Sequence, residues 1–233
     1  MRHPIFGFAH DVDTVVAICK AGGLGVYGAT RRFPDEIRSE LAEIKSRVGA
    51  LPFGVDLVLP PGMPEHNSRA AIDAEIPREH KAFVQRIIDK YQIPAASKPG
   101  MRTRFIRSTE IEQEQLRAVM ESDVNLFACG IGSPPEAVGE AKDRGKATLA
   151  LVGSPHHVPR ALAAGVQILV AQGYDAGAHT GPIGTYSLVP QIVDAAGDIP
   201  VLVAGGVATG RHVAAALAMG AQGVWLGTAW MLT

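Results

Sequence analysis

At residues 198–207 the chain reads Asp198-Ile199-Pro200-Val201-Leu202-Val203-Ala204-Gly205-Gly206-Val207, an apolar run that ends in a glycine pair. A helical pattern follows at residues 211–219, and Gly220 is suited to end that helix. A second apolar run, residues 223–226, then ends in Gly227-Thr228. Because both runs are apolar throughout rather than alternating, they are typical of parallel strands that are buried on both faces.

The same unit of strand and helix repeats along most of the chain. The predicted strands occupy residues 5–9, 24–29, 53–59, 125–129, 147–152, 167–171, 201–204 and 223–226. Helical patterns lie at residues 11–21, 34–48, 78–91, 135–144, 157–164, 187–196 and 211–219. This alternation predicts that residues 1–233 form one TIM (β/α)8 barrel, with a doubly wound open sheet as the alternative.

Two segments depart from the repeat. Residues 60–109, after the third strand, are too long for an ordinary strand-to-helix loop and are interpreted as a lid, a dimer arm or a surface insertion. Only residues 229–233 follow the eighth strand, so we expect the barrel to lack its last helix and a C-terminal segment. The seam between the first and eighth strands would then be uncovered, and the chain either prone to aggregation or in need of a partner that covers the seam.

Composition excludes several classes of protein. A formal net charge of −1 gives no electrostatic footprint for nucleic acid or an anionic membrane. No apolar run is long enough to span a bilayer. Cys19 and Cys129 form neither a disulfide framework nor a metal cluster, no metal site is expected, and both are interpreted as small core residues in a reducing cytoplasm.

Glycines at two neighbouring strand ends predict a phosphate site. The exits of the seventh and eighth strands commonly bind phosphate in TIM barrels, because glycines leave backbone N–H groups accessible. Gly205-Gly206 is weak evidence by itself, but Gly227-Thr228 stands at the next strand exit. The pair therefore favours a phosphorylated ligand, of which FMN is a frequent example.

A loop of small residues follows the sixth predicted strand. It reads Ala171-Gln172-Gly173-Tyr174-Asp175-Ala176-Gly177-Ala178-His179-Thr180-Gly181. Small side chains let a backbone approach a flat ligand closely, and a histidine exchanges protons near neutral pH. The alternative is a glycine-rich turn with a solvated histidine.

Residues 171–181, 200–206 and 220–228, together with residues 4–29, resemble the nitronate monooxygenase family, formerly called 2-nitropropane dioxygenases. The resemblance covers nearly the whole chain and is weakest across the insertion. It implies an FMN-dependent TIM-barrel enzyme in which His179 is the catalytic base. It also implies that Ala176 and Gly177 line the flavin, and that Gly205, Gly206, Gly227 and Thr228 hold its phosphate.

Two polar residues are weaker candidates for contacts to the flavin ring or substrate. Gln172 and Asp56 are expected at the exits of the sixth and third strands, and Asp56 has a helix-capping role as its alternative. The chain also departs from the family pattern. It has Ala178 where Gly-Gly-His is common, Gly7-Phe8-Ala9 where Pro-Met is common, and no lysine at the fifth strand exit.

The expected activity is the oxidation of alkyl nitronates with O2 by an FMN-dependent oxidoreductase, with a homodimer as one expected assembly. Two alternatives stay open. One is an enzyme like the flavin enoyl-acyl-carrier-protein reductases, which needs NAD(P)H. The other is a non-catalytic barrel that binds a flavin or a phosphate.

Overall fold

Eight parallel strands hydrogen-bond to one another in chain order and close into a barrel in the computed structural model, which describes residues 1–98, 100 and 105–232. The strands are β1 (Ile5–Ala9), β2 (Leu24–Gly28), β3 (Gly54–Val58), β4 (Leu126–Ile131), β5 (Ala147–Val152), β6 (Ile168–Gln172), β7 (Val201–Ala204) and β8 (Gly223–Leu226). Pairing of β8 with β1, Phe6 opposite Trp225, closes the ring. The TIM barrel is therefore confirmed, and the open sheet is excluded.

Helices connect the strands on the outside of the barrel. They are α1 (Val12–Ala21), α2 (Pro34–Val48), α3 (Arg69–Glu75), α4 (Arg78–Tyr91), α5 (Thr109–Met120), α6 (Pro135–Asp143), α7 (Val158–Ala163), α8 (Thr185–Ala196) and α9 (Gly210–Ala218). The helix α5 was missed by the sequence analysis, although Ser108 caps it by accepting a hydrogen bond from the N–H of Ile111 (3.3 Å). This helix supplies the crossover from β3 to β4.

The barrel interior is a packed core. Alternate residues of the strands form one apolar cluster, which contains Phe6, Leu24, Val26, Leu126, Ala128, Leu149, Val170, Leu202, Ala204 and Trp225. The outward-facing strand residues pack against the helices in a second cluster. Because side chains fill the centre, a ligand has to bind at an end of the barrel, and in TIM barrels that end is the carboxyl end of the strands.

The seam between β1 and β8 is covered at the positions where the structure describes it. Val224 is fully buried, and Leu226 is 7% exposed. Trp230, on the 3-10 turn Thr228–Leu232, packs over Gly7 and donates from its indole nitrogen to the carbonyl of Leu226 (3.0 Å). The expectation of an uncovered seam is therefore wrong for these residues, and the reasoning that led from it to aggregation loses its basis.

In the described part of the insertion, the helices α3 and α4 contribute no buried residue. Phe83, Val84 and Tyr91 expose more than half of their surface. Its two ends meet, because the N–H of Thr109 donates to the carbonyl of Pro64 (2.9 Å) and the side chain of Asn67 to the carbonyl of Arg107 (3.2 Å). Residues 99 and 101–104 lie outside the described part. The lid or dimer arm stays a prediction.

Both cysteines lie in the core. Burial raises the pKa of the Cys129 thiol to about 12, and it also raises that of Cys19. These thiols are therefore poor nucleophiles, as expected for core residues. Within the described residues, no helix is both long and apolar enough for a membrane span, and no three His, Cys, Asp or Glu side chains are grouped to hold a metal ion.

Candidate active site

A cavity of about 370 Å³ opens at the carboxyl ends of β4, β5 and β6. Its walls are the residues after these strands and the loop that follows β6: Gly130, Ile131, Gly132, Ser133, Leu151, Val152, Gly153, His157, Arg160, Ala161, Gln172, His179, Thr180 and Gly181. Two of the predicted site residues, Gln172 and His179, are among them. The cavity therefore lies at the end of the barrel where TIM-barrel sites are found.

Gln172 holds the loop that carries His179. It is the last residue of β6, it is largely buried, and its side-chain amide donates to the carbonyl of His179 at 2.6 Å. The His179 side chain itself is exposed at the cavity. The rigid end of a strand thus fixes the backbone of the residue whose imidazole is available to a ligand.

Asp175, near the start of this loop, holds the end of the loop where α8 begins. Its carboxylate accepts a hydrogen bond from the N–H of Thr185 (2.7 Å), the first residue of α8. This hydrogen bond to the backbone holds the pKa of Asp175 below its usual range. The sequence analysis assigned Asp175 no role, because an acid so far before a helix start matches no local capping pattern.

A second region, at the ends of β7 and β8, brings the predicted phosphate-binding residues together. A methyl group added to Gly177 would lie 2.8 Å from the hydroxyl of Thr228, so the loop backbone touches the exit of β8. The backbone of Gly205 (φ +101°) passes Thr185, and that of Gly206 (φ +72°) passes Asp175. We call Gly205, Gly206, Gly227 and Thr228 the glycine cluster.

The glycine cluster offers free hydrogen-bond donors. Within the described residues, the N–H groups of Gly205, Gly206 and Gly227 donate to no protein acceptor. Backbone N–H groups at a strand exit that leads into a helix, here α9, suit an anion. These residues therefore fit a phosphate group. They do not line the 370 Å³ cavity; the loop after β6 contacts both regions.

Asp56 lies inside the barrel rather than at a strand exit. It is in β3, opposite Ala128 of β4, and is 4% exposed. The expected position at the exit and the alternative helix-capping role are both wrong, because Asp56 precedes the end of the strand and faces inward. Its Oδ1 has no hydrogen-bond partner within the described residues. Burial raises the pKa of its carboxyl group to about 7.

A β-bulge in β4 lies over this carboxyl group. Leu57 pairs with Cys129 and Val58 with Ile131, so Gly130 is an extra residue in β4. A methyl group added to Gly130 would lie 3.0 Å from both carboxyl oxygens of Asp56, so the Gly130 backbone covers this carboxyl group. Because Gly130 lines the cavity, Asp56 lies just beneath its floor.

Phe8 closes the mouth of the barrel beside the glycine cluster. Its ring stacks on Trp225 with centroids 6.0 Å apart and meets the His10 ring edge-on at 4.9 Å. A methyl group added to Gly227 would lie 3.8 Å from Phe8. At the position where Pro-Met is common in the family that the sequence resembles, this chain therefore places an apolar ring.

The comparisons with known proteins agree with this architecture. Residues 3–233 match the family model for nitronate monooxygenase. The nitroalkane oxidase from Streptomyces ansochromogenes is similar in structure, with a TM-score of 0.78 and 26% identity, over 98% of this chain and 66% of that one.

Proteins of similar sequence also match almost the whole chain. A Mycobacterium tuberculosis protein named as a monooxygenase is 40% identical over 99% of this chain and 64% of its own length. A Staphylococcus haemolyticus protein named probable nitronate monooxygenase is 30% identical, over 95% and 61%. An M. tuberculosis dehydrogenase of an indene-carboxyl-CoA is 26% identical, over 100% and 54%.

This chain thus spans between half and two thirds of the length of these relatives. The family model nevertheless matches the chain almost from end to end. The match spans β1 to β8 and includes both the cavity and the glycine cluster. The chain belongs to the nitronate monooxygenase family.

Proposed function

We propose that this chain is the barrel of an FMN-dependent oxidoreductase that oxidises alkyl nitronates with O2. The observation that carries the proposal is the loop after β6. At one end it presents His179 to the cavity, and at Gly177 it touches the glycine cluster. A single loop therefore joins a place for a phosphate to a place for a substrate.

The cofactor would be held through its phosphate by the glycine cluster. The N–H groups of Gly205, Gly206 and Gly227 and the hydroxyl of Thr228 would donate to the phosphate oxygens, and Ala176 and Gly177 would line the flavin. When bound, the flavin supplies a two-electron acceptor that O2 can reoxidise. The barrel would orient the cofactor, and the stacked Phe8–Trp225 pair at its mouth would keep water out of that side of the site.

His179 would act on the acidic carbon of the substrate. A neutral nitroalkane has a proton on the carbon next to the nitro group, and an imidazole nitrogen of His179 would accept it. A preformed nitronate has already lost this proton, so His179 would only bind and orient it. Gln172 would supply a polar contact to the flavin ring or the substrate.

The visible spectrum of the purified protein tests the cofactor. Absorbance maxima near ~370 and ~450 nm are expected for a bound flavin. Mass spectrometry of the released cofactor then distinguishes FMN from FAD. Oxygen consumption with propionate 3-nitronate tests the reaction. A colourless protein that takes up no added FMN would contradict the cofactor, and a yellow protein without oxygen uptake would contradict the reaction.

A reductase that acts on acyl thioesters is the second candidate. The similarity to a dehydrogenase of a carboxyl-CoA compound supports it. NADH oxidation with a crotonyl thioester, without oxygen uptake on nitronates, would favour this candidate. A yellow protein that turns over neither class of substrate would instead favour a non-catalytic flavin-binding barrel. Cytoplasmic location and a homodimer belong to the same proposal, and gel filtration tests the dimer.

A further inference from the structure

The cavity at the ends of β4, β5 and β6 has a positive wall. None of the lining residues that the structure describes is an Asp or a Glu, whereas His157, Arg160 and His179 all line it. Asp56 lies beneath the floor, covered by Gly130, and does not line the cavity. A ligand that enters therefore meets one permanent positive charge and two imidazoles.

Arg160 is available to a ligand. Its side chain forms no ion pair and no hydrogen bond with the part of the chain that the structure describes. Several other arginines are paired with carboxylates: Arg32, Arg38, Arg47, Arg107, Arg117 and Arg144. Arg160 thus keeps all of its guanidinium donors for the cavity.

The helix that carries Arg160 is fixed to the barrel. Val158 and Ala161 of α7 are buried in the core, and Ala161 also lines the cavity, so the short helix is anchored beside the cavity. The chain enters α7 through the 3-10 turn Pro155–His157, which brings His157 to the same wall. The base of the Arg160 side chain is therefore held in place before any ligand binds.

We propose that Arg160 recognises an anionic group, a carboxylate or a phosphate, on a substrate whose reacting carbon lies at His179. A guanidinium binds carboxylate and phosphate oxygens with two parallel hydrogen bonds, which gives both affinity and orientation. His157 adds a neighbouring donor. The volume of about 370 Å³ is near the lower end of the ~300–1,000 Å³ usual for ligand sites, so the group bound here is small. The reference to a reacting carbon rests on the proposed function.

Binding measurements test Arg160 without turnover. The flavin-loaded parent protein is titrated by calorimetry with succinate and, separately, with inorganic phosphate, and compared with the variants Arg160→Gln and Arg160→Lys. We expect Arg160→Gln to weaken binding of the preferred anion about tenfold or more, and Arg160→Lys to weaken it less. A larger effect on succinate assigns a carboxylate, and a larger effect on phosphate assigns a phosphate group.

The matched control is Arg144→Gln. Arg144 is exposed, directly follows α6 and pairs with Glu140 at the opposite end of the barrel, so its loss should leave anion binding unchanged. Equal affinity of the parent and Arg160→Gln for both anions overturns the proposal. Absence of binding of either anion to the parent at millimolar concentration overturns it as well.

Kinetics separate this proposal from the reaction. The KM for 3-nitropropanoate should rise about tenfold or more in Arg160→Gln, whereas that for uncharged 1-nitropropane should not change. If the parent oxidises neither compound but binds an anion through Arg160, the proposed reaction fails and the anion site stands. If both compounds are oxidised with the same KM ratio in the parent and the variant, the reaction stands and the role of Arg160 fails.

Discussion

The side-chain amide of Gln172 donates a 2.6 Å hydrogen bond to the carbonyl of His179. The donor belongs to the last residue of a buried strand, and the acceptor to the loop residue with the exposed imidazole. A parallel strand thereby sets the position of a loop seven residues further along the chain. Loss of this hydrogen bond should free the loop without disturbing the barrel.

Gln172→Met removes the donor and keeps the length of the side chain. One hydrogen bond contributes about 0.5–1.5 kcal/mol, so we expect turnover to fall roughly three- to tenfold. Amide hydrogen exchange at residues 178–181 should become faster. Gln191→Met is the control, because Gln191 donates a similar bond to the carbonyl of Ser187 on the exposed side of α8. Unchanged exchange at residues 178–181 would show that Gln172 does not hold the loop.

His179→Asn removes the proposed base. Loss of a general base lowers turnover by about 10²–10⁴-fold, so oxidation of neutral nitroalkanes should fall by that factor. Preformed nitronates should lose less, because no proton has to be removed, and the flavin spectrum should persist. The exposed His80 of α4 gives the control variant His80→Asn. Parent-like activity of His179→Asn on neutral nitroalkanes would rule out this role.

Gly206→Val should abolish flavin retention. The backbone of Gly206 has φ +72°, and a branched side chain would also fill the space above the free N–H groups of the glycine cluster. Flavin content is measured from the absorbance ratio of the purified protein. Gly49→Val controls for strain, because Gly49 also has a positive φ (+63°) but lies after α2, with no atom near the added side chain. Full flavin content in Gly206→Val would contradict the assignment.

Asp56→Asn should change how stability depends on pH. The pKa of Asp56 is raised to about 7 by burial, so the folded chain favours the protonated form. Its contribution to stability is complete below about pH 4 and is lost as the pH rises towards and through 7, by at most about 1.4 kcal/mol per pH unit. The asparagine cannot ionise. Thermal unfolding between pH 4 and pH 8 should therefore show the variant gaining stability relative to the parent as pH rises; parallel curves would refute this.

The barrel could be predicted because its signal is local. Runs such as residues 201–204 and 223–226 are apolar throughout, and glycines mark the helix ends, so each repeat is recognisable by itself. The cover of the seam could not be predicted in this way. It depends on Trp230 reaching back to Gly7, a contact between the two ends of the chain that no periodicity encodes.

The site was predictable only in part. His179 and Gln172 line one cavity, and Gly177 of the loop after β6 reaches across β7 to contact Thr228 at the exit of β8. The position of Asp56 was misjudged, because the predicted third strand already ran to residue 59 and so had Asp56 inside it rather than at its exit; Asp56 pairs in regular register with Ala128, and the bulge at Gly130 comes only after Leu57. Arg160 escaped notice because its lack of an ion pair is a property of the folded chain.

The insertion after β3 makes the barrel modular. Its ends are joined by hydrogen bonds between Pro64 and Thr109 and between Asn67 and Arg107. Neither α3 nor α4 contributes a buried residue. Doubling the length of a flexible loop costs only about 0.6 kcal/mol in closure entropy. Because two hydrogen bonds already hold the ends of the insertion together, the segment between them can be replaced by another one, in evolution or by design, while the strand ends around the cavity keep their register.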